Sequence, residues 1–247
     1  MLLTIWFVFL AVVLLILSLP FYLITLLWSK KDPLKAAAFG QTIVRLGMAG
    51  MMYATFSRID VRGRERIPRD TPVLFISNHR SYLDIFMGYG FTPKQFGFVA
   101  KMELEKLPYI KSWMELLHCL FLNRGDRREG LETILQAIAY VKKGSSIWIC
   151  PEGTRAKTGP ATELLMFHNG SFKIASKADV PVVPVAIYGT REMLEDHMPK
   201  LTRGHIVMEF GEPVRISELD PAEQKKVGDH FQEIVKNMLE KIDAEMH

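Results

Sequence analysis

Residues 71–86, "TPVLFISNHRSYLDIF", pass from a short apolar run into a polar cluster and back into apolar residues. The run 71–77 has the length and ending of a buried strand. Ser81 fits a helix N-cap, and Asp84 three positions later completes the S-x-x-D capping-box pattern. Asn78 and His79 then lie just past the C-terminal end of a strand, where ligand crevices form in open α/β sheets. Two readings of His79 and Asp84 are open. In the first, Asp84 caps a backbone N–H and His79 is an exposed loop residue. In the second, His79 is a general base and Asp84 holds its other ring nitrogen. Five residues apart on one continuous helix, the two would face different ways; a loop-to-helix turn at Ser81 brings them together. Histidine suits proton removal from an alcohol near neutral pH, with a reference pKa of about 6.5.

Strand-like and helix-like segments alternate through the rest of the chain. Residues 94–101, 118–124, 145–153, 180–189 and 205–214 read as strands. Residues 128–144, with apolar positions at helical spacing and a closing glycine, read as a helix, as do 170–178 and the amphipathic stretch from 221 to the C-terminus. The pattern predicts an α/β fold, a mixed sheet flanked by helices, over residues 58–247.

Residues 1–57 have a different character. Residues 1–28 carry no charge, and the apolar run is long enough for a hydrocarbon core, which takes roughly 20 residues. No basic residue precedes it, which argues against a secretory signal. Pro20 predicts a kink or an early end to the helix. Lys30, Lys31 and Lys35 follow at once and place the later chain on the cytoplasmic side. The stretch 36–57 has Arg45 near its middle, so it is expected to lie along or partly in the cytoplasmic leaflet. The other reading is a pair of helices packed as core on the following domain. Arg58, Arg62, Arg64, Arg66 and Arg69 then read either as a contact with anionic headgroups or as a solvated surface loop and strand.

Composition narrows the chemistry. The net charge is a modest +4, and the two cysteines, Cys119 and Cys150, are far apart without C-x-x-C spacing. Neither a disulfide framework nor a structural zinc site fits that pattern. No G-x-S-x-G elbow or H-E-x-x-H helix occurs. A second polar cluster, "CPEGTRAKTG" at 150–159, follows the expected strand at 145–149. Glycine permits close backbone approach, a hydroxyl can donate, and arginine can hold a phosphate bidentately. Glu152 is a candidate to hold Arg155 or a substrate hydroxyl. On its own the cluster also reads as a turn with a surface ion pair.

Together these blocks resemble the glycerolipid acyltransferase family. NHRSYLD is similar to its NHxxxxD block, CPEGTR to FPEGTR, and VPVVPVAIYGT to V-P-[IV]-[VI]-P-V. Phe121 and Arg124 in "HCLFLNRGD" resemble its aromatic-arginine block, and "VRGRERIP" its lead-in. The blocks keep the family order over roughly residues 60–190. By length and layout the resemblance is to the PlsC-like bacterial 1-acylglycerol-3-phosphate acyltransferases.

The resemblance implies transfer of a fatty acyl group from an acyl-carrier-protein or coenzyme A thioester to the sn-2 hydroxyl of lysophosphatidic acid. His79 would be the base and Asp84 its orienter. Arg124, Glu152, Gly153, Thr154 and Arg155 would bind the glycerol phosphate, with Asn78 and Lys101 as further candidates. It implies no metal, no cofactor beyond the thioester co-substrate, no nucleic-acid partner, and work at the cytoplasmic face of the inner membrane. Two departures stand out. Cys150 replaces the usual phenylalanine and reads as a small buried hydrophobe. His168 and Asn169 stand where a basic residue usually precedes the glycine, which keeps other acceptors in play, such as a lyso-ornithine lipid or a lysophospholipid. A non-catalytic lipid-binding protein needs neither base nor orienter. His118, in an apolar strand, reads as structural.

Overall fold

The computed structural model describes residues 1–123 and 125–246. The strands with the most continuous apolar runs lie at the centre of its sheet. In chain order the elements begin with helices α1 (Leu2–Leu17), α2 (Leu19–Ser29) and α3 (Pro33–Tyr53), then strand β1 (Arg58–Arg62). β2 (Leu74–Ser77), α4 (Leu83–Phe91), β3 (Phe96–Lys101), α5 (Pro108–Leu116), β4 (Leu120–Leu122), α6 (Arg127–Lys142) and β5 (Ser146–Ile149) follow. The chain closes with α7 (Asn169–Ala178), β6 (Val182–Tyr188), α8 (Thr190–Met193), β7 (His205–Phe210), α9 (Pro221–Lys225) and α10 (Val227–Met246).

Seven strands form one mixed sheet in the order β1-β7-β6-β2-β5-β3-β4. β6, β2, β5, β3 and β4 run parallel, β7 is antiparallel to β6, and β1 runs parallel to β7. Every residue of β2 and β5 is buried, as expected of parallel strands covered on both faces. Alternation along each strand divides the core in two. Phe75, Trp148, Phe96 and Phe210 pack on the face covered by α3 and α4, with ring centroids 5.1, 5.7 and 6.1 Å from Phe75 to the other three. Leu74, Ile76, Ile147 and Ile149 face α6, α7 and α10. Helix α10 contributes Phe231, Val235, Leu239 and Ile242, one fully buried stripe at helical spacing.

Three sequence expectations change in detail. The C-terminal helix is two helices, because Lys226 leaves helical geometry between α9 and α10. The strand expected from residue 118 starts at Leu120, since His118 adopts a left-handed φ of 61°. The helix expected at 36–57 starts at Pro33, capped by Asp32, and buries Ala36, Ala37, Gly40, Gln41, Met51 and Met52. One face of α3 is therefore core against α4, the arrangement of the alternative reading.

Pro20 does what its missing N–H and fixed φ require: α1 ends at Leu17, and α2 restarts with the proline in its first turn. The two meet at 46°, and among the described residues no single helix is long and apolar enough to cross a membrane. α1 buries none of its residues, and Leu2, Ile5, Phe9, Ile16 and Leu17 are exposed.

Gly97 in β3 lies flat against the backbone of His118, where a Cβ would overlap the His118 carbonyl. Replacing Gly97 with Ala should destabilise the protein by about 2 kcal/mol or more, because backbone and not a flexible side chain must yield. Thermal denaturation in detergent should show a fall of several degrees in Tm; an unchanged Tm would contradict this packing.

Candidate active site

The parallel strands β2 and β5 end side by side, and both polar clusters of the sequence sit at that edge. Asn78 continues β2 by one rung with its side chain: Nδ2 donates to the Ile187 carbonyl at 2.8 Å, and Oδ1 accepts from the Ile187 N–H at 2.9 Å. Its amide is fully buried, with both its oxygen and its nitrogen engaged by the Ile187 backbone. Beyond it the chain turns. The His79 N–H donates to Glu152 Oε1 at 2.7 Å, and the His79 carbonyl accepts from the Ala156 N–H at 2.9 Å.

The turn delivers the pairing that the sequence left open, and Asp84 both caps backbone N–H groups and meets the His79 ring. Asp84 Oδ2 accepts from the backbone N–H groups of Arg80 and Ser81 at 2.8 and 2.9 Å. The same oxygen lies 2.8 Å from His79 Nδ1. Ser81 Oγ accepts from the Leu83 N–H at 3.0 Å, tightening the entry to α4. Asp84 is only 3% exposed and sits in the first turn of α4, where the helix dipole favours a carboxylate. A carboxylate can only accept, so Nδ1 carries the proton and Nε2 is left as the basic nitrogen. The arrangement is chemically a proton acceptor held in one tautomer.

Thr190 supplies what the reading of residues 79 and 84 missed. Its hydroxyl donates to Asp84 Oδ1 at 2.7 Å, and the residue is 1% exposed. The signal was present, since Thr190 is the last residue of the VPVVPVAIYGT block. Arg80 is the other omission. Its buried guanidinium donates to four carbonyls of the 158–163 loop: Pro160 and Glu163 from Nη1 at 2.7 and 3.0 Å, Thr158 and Gly159 from Nη2 at 3.1 and 2.7 Å. Burial lowers its pKa below the ordinary arginine value, with the nearby Arg191 adding to the effect.

In the second cluster Gly153 has a φ of 70°, which glycine adopts freely, and its open face lies beside the His168 ring. Glu152 does not hold Arg155, as its neighbourhood in sequence suggested. Its two oxygens take the N–H groups of His79 and Leu165, so it ties the backbone of His79 to the following loop. Burial raises its carboxyl to about 7 against the pull of those two donors. Arg155 instead lies 3.7 Å over the Tyr82 ring and donates from Nη1 to Glu195 Oε1 at 2.9 Å. The Tyr82 N–H donates to the same oxygen at 2.9 Å. Thr154 is exposed at the rim.

Other candidates fall elsewhere. Lys101 is exposed at the end of β3, with β5 between it and β2, and pairs with Glu103 at 2.6 Å. Arg124 lies outside the described residues. Cys150 Sγ is 3.5 Å from Ser77 Oγ beside Trp148, in a packing position. Among the described residues no cluster of His, Cys, Asp and Glu is arranged to hold a metal ion.

Comparison with known proteins places this geometry. The family model described as Acyltransferase matches residues 58–188. A chloroplast 1-acyl-sn-glycerol-3-phosphate acyltransferase of Arabidopsis thaliana is 32% identical over 85% of this chain and 56% of its own length. A 1-acyl-sn-glycerol-3-phosphate acyltransferase of Salmonella typhimurium is 26% identical over 89% of this chain and 86% of its own. The crystal structure of the 1-acyl-sn-glycerophosphate acyltransferase PlsC from Thermotoga maritima superposes with a TM-score of 0.83 at 30% identity, covering 98% of this chain and 95% of that one. This chain thus spans little more than half the length of the plant relative.

Glu152 gives a test that is independent of the reaction. Its folded-state pKa of about 7 lies above the ordinary value of 4.5, so the fold favours the protonated carboxyl. The stability it contributes is complete below about pH 4.5 and is lost as pH rises through 7. Glu152→Gln should carry a constant loss of one acceptor but none of this slope. The Tm gap between variant and wild type should therefore shift in the variant's favour from pH 5 to pH 8; parallel profiles would disprove the assignment.

Proposed function

Given that the chain belongs to the acyltransferase family, we propose that it moves a fatty acyl group from an acyl-carrier-protein or coenzyme A thioester to the sn-2 hydroxyl of lysophosphatidic acid, giving phosphatidic acid. The observation that carries this reading is the 2.8 Å contact between His79 Nδ1 and buried Asp84 at the end of β2, with Arg155 on the adjoining loop. The names of the relatives at 26–32% identity agree with it.

His79 Nε2 takes the proton of the acceptor hydroxyl as its oxygen bonds to the thioester carbonyl carbon. The carbon–sulfur bond then breaks, and the imidazolium returns the proton to the departing thiolate. Asp84 stabilises the imidazolium, and Thr190 holds Asp84 from behind. General base catalysis of this kind contributes about 10²–10⁴-fold. Arg155 uses one nitrogen on Glu195, leaving donors for a phosphate, which Gly153 lets approach the backbone and Thr154 borders. Arg124 is proposed to assist. Glu152 acts indirectly, by fixing the backbone of His79. The chemistry asks for no metal or resident cofactor.

The acceptor and the product are lipids, which gives the apolar N-terminus its role. α1 and α2 expose many large hydrophobic residues, a concentration of the kind that marks a membrane or partner contact. With Lys30, Lys31 and Lys35 behind them, we place residues 1–57 as a membrane-associating segment at the cytoplasmic face of the inner membrane, carrying the domain at 58–247.

Acyl transfer by the purified protein in detergent tests the reading. Lysophosphatidic acid and lyso-ornithine lipid are offered in parallel, each with acyl-carrier-protein and coenzyme A donors. The expected result is turnover of lysophosphatidic acid that falls at least about 10²-fold in His79→Ala. Turnover of the ornithine lipid alone would replace the acceptor, and equal rates in wild type and variant would remove the base.

Arg155→Ala should mainly raise the KM for the lysolipid if the arginine holds phosphate equally before and during the reaction. A pure loss of kcat would move it to the transition state.

A further inference from the structure

A cavity lies at the edge of the sheet opposite the dyad. His118 and Ser145 immediately precede β4 and β5, whereas His79 follows β2, and these strands are parallel. The four residues of β2 alone set roughly 13 Å between the two edges. The cavity has a volume of about 730 Å³ and lies between the α2–α3 turn and the α/β body.

Its floor is built of protein groups in fixed positions. His118 is only 9% exposed and stacks on Tyr140, with ring centroids 4.9 Å apart. Its Nδ1 lies 2.6 Å from the Ser145 hydroxyl. Its Nε2 has no partner among the described residues, although the ring lines the cavity. When the serine hydroxyl donates to Nδ1, the neutral imidazole carries its proton on Nε2, a spare donor on a ring that lines the cavity. Burial and the nearby Lys143 hold the His118 pKa below its ordinary value, which keeps the ring neutral at pH 7.

The charge of the cavity is uneven. Its two carboxylates each have a lysine partner, Asp32 with Lys35 at 3.2 Å and Glu115 with Lys111 at 3.7 Å, the latter lysine shared with Glu105 at 3.3 Å. Lys31 and Lys143 line it without an ion pair among the described residues. Tyr22, Leu26 and Leu34, from the apolar N-terminal helices and the start of α3, form the opposite wall. Two ammonium groups outside any ion pair among the described residues and an N–H donor, in a lining shared with apolar side chains, match a phosphate carried on hydrocarbon.

We infer that this cavity is a second, non-catalytic binding site for a phosphate-bearing amphiphile, with the phosphate on Lys31, Lys143 and His118 and the chain against α2. It lies apart from the transfer site and does not depend on the reaction proposed there.

The test uses the full chain in non-ionic detergent with ¹³C-labelled histidine. His118→Gln identifies the His118 signal among the seven histidines. The probes are dihexanoyl phosphatidic acid, dihexanoylglycerol and inorganic phosphate. The expected result is a saturable shift of the His118 signal with the phosphatidic acid and none with the diacylglycerol. In the double variant Lys31→Ala/Lys143→Ala, which changes only exposed side chains, half-saturation should need about tenfold more lipid. A shift with inorganic phosphate at the same concentration would assign the site to free phosphate; a shift with lipid alone would assign it to a headgroup. No shift with either phosphate probe, an equal shift with diacylglycerol, or an unchanged double variant would overturn the inference. His79 reports the other edge separately, so failure at His118 leaves the transfer reading standing.

Discussion

The Asp84 carboxylate is the constraint on which the edge of the sheet depends. A carboxylate that is 3% exposed is stable only when its lone pairs are taken by donors. Here four donors supply that: two backbone N–H groups, a threonine hydroxyl and an imidazole. Three share Oδ2, so the histidine ring cannot slide without disturbing the same oxygen that holds the turn at residues 80–81. The imidazole thereby inherits the positional precision of main chain, which loop side chains ordinarily lack.

Around that carboxylate, buried polar groups act mainly on backbone. Glu152 fastens the N–H of His79 to that of Leu165, and Arg80 gathers carbonyls from residues 158–163. Arg191 adds a further bond to the Gly159 carbonyl at 2.9 Å. A loop with polar backbone beside a buried site needs such partners, because unpaired amide groups there are costly. The exposed side chains, Thr154 and part of Arg155, are left to meet a ligand.

Much of this was legible from residue order. The mostly apolar runs at 71–77 and 145–149 announced strands, the first of them buried, and NHRSYLD announced a turn with a carboxylate at its helix start. The less legible parts depend on contacts between distant segments. Nothing local distinguishes Asn78, which completes a rung with Ile187, from a ligand-binding asparagine. Glu152 and Arg155 look like an ion pair because they are neighbours, but Glu195, forty residues beyond Arg155, takes the arginine. Arg80 carries no periodic signal, since its partners are carbonyls of a loop some eighty residues away. His118 sits in an apolar run that reads as strand, and its left-handed backbone is set by the tight passage against Gly97.

β1 has a consequence for where the structural unit ends. This strand lies at the start of the family match, yet its only sheet neighbour among the described residues is β7, which begins seventeen residues past the end of that match at 188. Thr190 and Glu195 also fall beyond residue 188. A fragment cut to the matched residues would have an orphaned edge strand, a carboxylate short of one donor and an arginine without its anchor. The span that the family model matches is thus narrower than the structural unit that holds the site, and its blocks are kept in place by residues outside them.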